Sequence, residues 1–221
     1  MTRLEMELII TLDTALHTTG NLRRPGVDKA MARTAQGDPV LPATTLKGFL
    51  REKAEILLRA WEHPVCLGPE PDRMCKGPEP CRICRVFGNP RHPSPLRFSD
   101  ATLIHADEDL SVRAGVAISR HRRAAFPQRL FFMETVPSIP ERPIRGQAWC
   151  EGDFFDPTTA REAAALIALA ARWGIAIGGG KTRGLGWIRE IKVNAHIDGE
   201  PLPESALVEI WRAWREGTHV A

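Results

Sequence analysis

Four of the five cysteines, Cys66, Cys75, Cys81 and Cys84, fall in one short stretch of the chain. Cys81 and Cys84 have the two-residue gap of a zinc knuckle, and Cys66 and Cys75 can supply two further thiolates. The chemistry expected of such a set is structural: a zinc ion held by four sulfurs. Disulfides suit a cytosolic chain poorly, and a redox pair would not need the outer two cysteines. His63 and His92 flank the loop and could replace one cysteine. The segment 62–95 is dominated by Pro, Gly and Cys, so it is expected to lack regular structure and to need a staple. Cys150 stands apart in a strand-like run and is expected in the core.

The formal net charge is only +3, but the cations are concentrated. Residues 20–36 carry Arg23, Arg24, Lys29 and Arg33 against a single acid, Asp28. Residues 113–129 carry Arg113, Arg120, Arg122, Arg123 and Arg129 with no acid. Clustering of this kind is a footprint for phosphate; two solvated loops are the plainer alternative. Asp28 is a lone carboxylate in basic surroundings. It could hold a hydrated Mg²⁺ or orient a ribose 2′-hydroxyl, or simply pair with Arg23 or Arg24. His17 precedes the same loop and could be a general base, an RNA contact or a buried structural histidine.

Two further segments point to an anion. Gly178-Gly179-Gly180-Lys181-Thr182-Arg183-Gly184-Leu185-Gly186 contains the Gly-Lys-Thr of a P-loop, but the glycine required five positions before Gly180 is Ile175. The turn also follows a helix and precedes a strand, the reverse of a P-loop. What remains is a flexible run of N–H groups beside Lys181 and Arg183, suited to a sugar-phosphate backbone. The second segment opens a helix. Lys47 and Arg51 lie four apart, on one face, near the positive end of the helix dipole, and Gly48 between them lets another backbone approach. A phosphate would offset both costs; a frayed first turn with solvated bases is the alternative.

The elements that must position these residues follow from periodicity. Residues 3–16 read as a strand, with Leu4, Met6, Leu8, Ile10 and Leu12 in period two. A Gly/Pro/Arg loop spans 18–40. Residues 45–61 read as a helix capped by Thr44 or Thr45, with Leu46, Phe49, Leu50, Leu57, Leu58 and Trp61 on one stripe. Leu96–Ile104 reads as one strand, an irregular basic stretch follows to about 128, and Leu130–Val136 and Gln147–Cys150 read as further strands. A second helix starts at Asp156-Pro157, runs through Leu166, Ile167, Ala170 and Trp173, and stops at Gly174. After the glycine-rich turn come a strand over 185–195 and a last helix with Leu207, Ile210, Trp211 and Trp214 as its apolar face. The order predicts an α+β chain with a split βαβ, or ferredoxin-like, frame and a wide interruption. The aromatic strand motif of RNA-recognition modules is missing, and Tyr is absent altogether, so base stacking on the sheet is not the expected binding mode.

Taken together, the motifs resemble the RAMP superfamily, and more narrowly the backbone subunit repeated along type III CRISPR effectors. The resemblance rests on Leu16-His17-Thr18-Thr19-Gly20, Gly26-Val27-Asp28, the run from Leu41 to Arg51, Cys84-Arg85-Val86-Phe87-Gly88 with Leu96-Arg97-Phe98-Ser99-Asp100-Ala101, and the turn 178–186. It implies one RAMP domain over 1–221: an RRM-like palm with the zinc loop at 62–95 and a β-rich thumb within 113–145. It implies copies stacked with other effector subunits on a guide RNA, which His17, Lys47, Arg51, Arg113, Arg122, Arg123, Lys181 and Arg183 would contact. It also implies metal-assisted cleavage of target RNA at Asp28. The chain departs from the family pattern at Ala43-Thr44-Thr45, where Gly-Ser-Ser is usual, and at Lys29-Ala30, where Ser-Pro is frequent. A non-cutting scaffold and a guide-processing ribonuclease using His17 are the alternatives. The first residues lack signal-peptide anatomy and no apolar run reaches membrane-spanning length, so a cytoplasmic protein is expected.

Overall fold

The computed structural model describes residues 1–20, 22–104 and 110–217. Its centre is β1 (Thr2–Leu12), whose Leu4, Met6, Leu8, Ile10 and Leu12 are all fully buried. Burial of each such side chain is worth about 1.5–3 kcal/mol, enough to fix which face points inward. β1 is flanked by β7 (Ile144–Phe154) and β8 (Ile188–Ile197). The sheet runs β2 (Val40–Leu41), β4 (Ala101–Ile104), β7, β1, β8, β9 (Glu200–Leu202), with β3 (Leu96–Phe98) pairing β7 beside this path. All its ladders are antiparallel. The chain is therefore α+β.

Two helices cover the buried face. α1 (Ala43–Ala60) turns Leu46, Phe49, Leu50, Ala54, Leu57 and Leu58 inward. α3 (Pro157–Arg172) packs beside it. Its first turn is closed as its sequence predicts, by Asp156, whose Oδ1 accepts from the Thr159 amide at 2.8 Å. Its last turn departs from expectation. Trp173 is 55% exposed, because it sits at the C-cap, past the residues that touch the sheet. α4 (Glu204–Gly217) closes over α3 with Leu207 and Trp214.

Several boundaries correct the sequence reading. Neither Thr44 nor Thr45 caps α1. Pro42 holds that place without a side-chain bond, and Asp100 Oδ1, just before the strand paired with β2, accepts from the Ala43 amide at 2.7 Å. The segment 62–95 is not wholly irregular, for it contains a short 3-10 turn at Pro71–Arg73 and α2 (Arg82–Phe87). The strand expected over 96–104 is broken into β3 and β4. Most of the supposedly irregular basic stretch is a hairpin of β5 (Ser111–Ser119) and β6 (Ala124–Thr135); residues 105–109 lie outside the described residues. The second half of β6 matches the strand expected over Leu130–Val136; β5 and the first half of β6 carry no apolar alternation, because the hairpin stands apart from the main sheet and is largely exposed on both faces.

Candidate nucleic-acid interface

His17 follows β1 and is 1% exposed. Its Nδ1 donates to the Glu134 carbonyl at 2.7 Å, which leaves Nε2 to accept from the Thr19 hydroxyl at 2.9 Å. Burial, more than any neighbour, holds its pKa below the usual histidine value. The imidazole is thus neutral, with one tautomer selected and both nitrogens engaged. Its backbone carbonyl accepts from the Gly179 amide at 2.8 Å, so the glycine-rich turn lies directly on this residue.

That turn is seated just as closely at its far end. The Gly186 amide donates to the Ala15 carbonyl at 2.8 Å, and a Cβ there would fall 1.8 Å from the Ile177 carbonyl oxygen. Between the two anchors, Lys181–Arg183 forms a 3-10 turn. Thr18, Thr19, Thr45, Phe49, Glu52, Ile177, Gly178, Gly179 and Lys181 line a cleft of about 210 Å³. The start of α1 and the glycine-rich turn therefore face each other across one opening.

The expected cations divide into two groups. Lys181 and Arg183 stand on the turn, and Lys29 joins Arg183 over the ring of Phe131, at 5.7 and 4.9 Å. None of these three has an ion-pair partner among the described residues. Lys47 points elsewhere, over Phe98 at 5.6 Å, and burial lowers its pKa. Arg51 also turns away, bonding Glu55 at 2.9 Å and the Gly88 carbonyl at 2.8 Å. Glu55 holds Arg59, which reaches the Cys66 carbonyl at 3.1 Å. This ladder ties α1 to the cysteine loop. Arg113 lies in β5, while Arg122 and Arg123 lie at the turn of the hairpin; all three are exposed.

Asp28 pairs with neither Arg23 nor Arg24. Its Oδ2 accepts from the Phe132 amide at 2.7 Å, and its own amide donates to the Phe132 carbonyl at 3.0 Å, fastening the loop to the base of the hairpin. The residue is exposed, and Oδ1 has no hydrogen bond among the described residues. Sequence reasoning missed Glu134 and Phe131, and gave Thr18 and Thr19 a place in a motif but no role in the site. Glu134 is the acid that neutralises Arg24 and Arg33, and it also accepts from the Met31 amide at 2.9 Å. Burial pushes its carboxyl up, but the Met31 amide and both guanidiniums outweigh this, and the group lies below the ordinary carboxylate value. An acid at a buried position of an apolar strand was the available signal.

Cys66, Cys75, Cys81 and Cys84 come together as expected, with all four Sγ atoms within 4.8 Å of one another. Tetrahedral zinc with bonds of about 2.3 Å needs sulfurs about 3.8 Å apart, so the cluster fits a structural zinc site. Without a cation, burial pushes Cys66 up to about 12 and raises Cys75, whereas for Cys81 burial is outweighed by hydrogen bonds within the cluster and its pKa is lowered. Neither histidine joins the cluster. His63 is bonded to the Trp214 carbonyl, and His92 packs by Asn89. Cys150 is fully buried in β7. The expected magnesium finds no comparable cage, since Asp28 offers a single carboxylate and the cysteines are the only ligand cluster among the described residues. No helix among the described residues is long and apolar enough to cross a membrane.

Comparison with curated proteins gives no match. The model of the RAMP superfamily, whose membership implies a role in binding CRISPR RNA, matches residues 9–189, which take in the cleft, the cysteine cluster and the hairpin. The chain belongs to the RAMP superfamily.

Proposed function

We propose that this chain is a backbone subunit of a type III CRISPR effector, holding guide RNA along the cleft between α1 and the glycine-rich turn and cutting target RNA at Asp28. The observation that carries the reading is the meeting of the α1 start with the 178–186 turn in one cleft, with Lys29, Lys181 and Arg183 left unneutralised beside it. A sugar-phosphate chain needs such a row of donors and cations and little sequence readout. The strand order β4-β7-β1-β8, with α1 and α3 on one face, supports a ferredoxin-like palm within a single domain. The segment 62–95 is then a zinc-stapled insertion and 113–145 the thumb. Copies of the chain and other effector subunits would share the guide.

At the cut site the free Oδ1 of Asp28 takes the proton of a target 2′-hydroxyl. The 2′-oxygen bonds to the adjacent phosphorus, the bond to the 5′-oxygen breaks, and water protonates the leaving oxygen. Lys29, next in sequence, faces the charge that builds on the phosphate.

The non-cutting scaffold has one observation in its favour, the bond from the Phe132 amide to Asp28, which gives that carboxylate a structural task. Guide processing by His17 is opposed by its burial and by the engagement of both ring nitrogens. An effector complex assembled with Asp28→Ala decides between the first two. We expect guide and target to remain bound and cleavage to fall by at least about 100-fold, the usual scale for losing a proton-transfer group. A parent complex that never cuts its target would establish the scaffold.

A further inference from the structure

Phe131 is placed as no ordinary hairpin residue would be. The β5–β6 register sets it opposite Gly115, and a Cβ at Gly115 would come within 2.3 Å of the ring. The ring therefore lies across the strand, in space that only glycine leaves open. Against it stand the Nζ of Lys29 at 5.7 Å and the guanidinium of Arg183 at 4.9 Å. These cations come from segments far apart in sequence. Lys29 is fixed by its backbone N–H, which donates to the Phe132 carbonyl at 3.1 Å, and by the Glu134 amide, which donates to the Lys29 carbonyl at 3.0 Å. Arg183 is carried on the glycine-rich turn.

An acid could hold two such cations, as Glu134 holds Arg24 and Arg33, but it would cancel their charge. An aromatic face holds them by its quadrupole and leaves the charge intact. Two like charges gathered on one ring repel, and an anion between them removes that repulsion.

We infer that Phe131 is a positioning residue that, with Gly115 as its seat, holds Lys29 and Arg183 as a paired site for one RNA phosphate beside Asp28. The inference rests on the RNA-binding reading above. It is tested with the full-length chain and a single-stranded RNA oligonucleotide, measuring affinity across a salt series. Phe131→Leu keeps an apolar side chain but loses the quadrupole. Affinity should fall roughly two- to fivefold for each cation released, and the salt slope should shrink by about 0.7 for the lost phosphate contact. Phe131→Trp should restore both, which a purely structural role for an apolar side chain would not require. Gly115→Ala displaces the ring without touching either cation and should reproduce the Phe131→Leu result, so the test survives a folding defect in one variant. The double change Lys29→Gln with Arg183→Gln should abolish any further effect of Phe131→Leu. If that double change weakens binding while Phe131→Leu and Gly115→Ala do not, the positioning role is overturned. If even the double change leaves affinity and slope untouched, the RNA track itself fails at this point.

Discussion

At the residue scale, His17 and Glu134 act as a unit that fixes the loop beneath the cleft. The His17 ring donates to the carbonyl of Glu134, and the side chain of Glu134 gathers Arg24, Arg33 and the Met31 amide. Both groups titrate in the same direction. His17 has a folded pKa below its ordinary 6.5, so the unfolded chain binds its proton first. The stability it contributes is complete above about pH 6.5 and is lost as the pH falls toward the folded value. Glu134 also lies below its ordinary 4.5, and its contribution is lost at still lower pH. Thermal unfolding should therefore show a two-stage loss on acidification, the first absent in His17→Gln. Glu134→Gln should lower stability by about 2–3 kcal/mol at neutral pH, below the roughly 3–5 kcal/mol of a fully buried pair because Arg24 is half exposed. Denaturant titration measures it. The importance of His17 was legible from its place before a basic loop, but not its task. Burial and the tautomer depend on Glu134, more than a hundred residues away.

At the element scale, α1 links the cleft to the cysteine cluster. Its first residues face the glycine-rich turn, while Arg51, Glu55 and Arg59 form the ladder that ends on Gly88 and Cys66. Within 62–95 α2 reaches the main core, through Ile83, Val86 and Phe87; the Pro/Gly-rich remainder would gain its order from a metal on the four cysteines. Purified protein should contain one zinc per chain, measured by elemental analysis. Cys84→Ser should lose the metal, and hydrogen exchange should rise first across 62–95 and next at the Arg51–Arg59 part of α1. Protection of the central strand β1 should change least, because its core faces α3 as well. Periodicity located β1, α1, α3 and α4 because each buries one face. It failed for β5 and the first half of β6, which bury little, and for the start of α1, where the bond comes from Asp100, far along the chain and just before β4.

At the scale of the whole molecule, the decisive contact is the seating of the 178–186 turn on Ala15 and His17, in the segment that follows β1. Gly186 has φ +68° and approaches the Ile177 carbonyl too closely for any side chain. Gly186→Ala should therefore both destabilise the protein, by about 1–3 kcal/mol from strain alone, and weaken RNA binding by displacing Lys181 and Arg183. Glycine in a plain turn would give the first effect without the second, so calorimetry and RNA titration on the same variant separate the two.

The sequence by itself determined the four cysteines that cluster, the buried faces of β1 and the long helices, the refusal of a nucleotide-binding P-loop and the segments in which cations concentrate. Each of these depends on spacing along the chain, where residues a few positions apart are bound to be neighbours. Tertiary structure alone decided which cations stay free. Arg24 and Arg33 are neutralised by Glu134, Arg51 is drawn to the cysteine loop and Lys47 to Phe98, whereas Lys29 and Arg183 meet on Phe131. Charge pairing falls off within a few ångströms, and partners that close come from segments whose meeting is set by the packing of the whole fold rather than by local pattern.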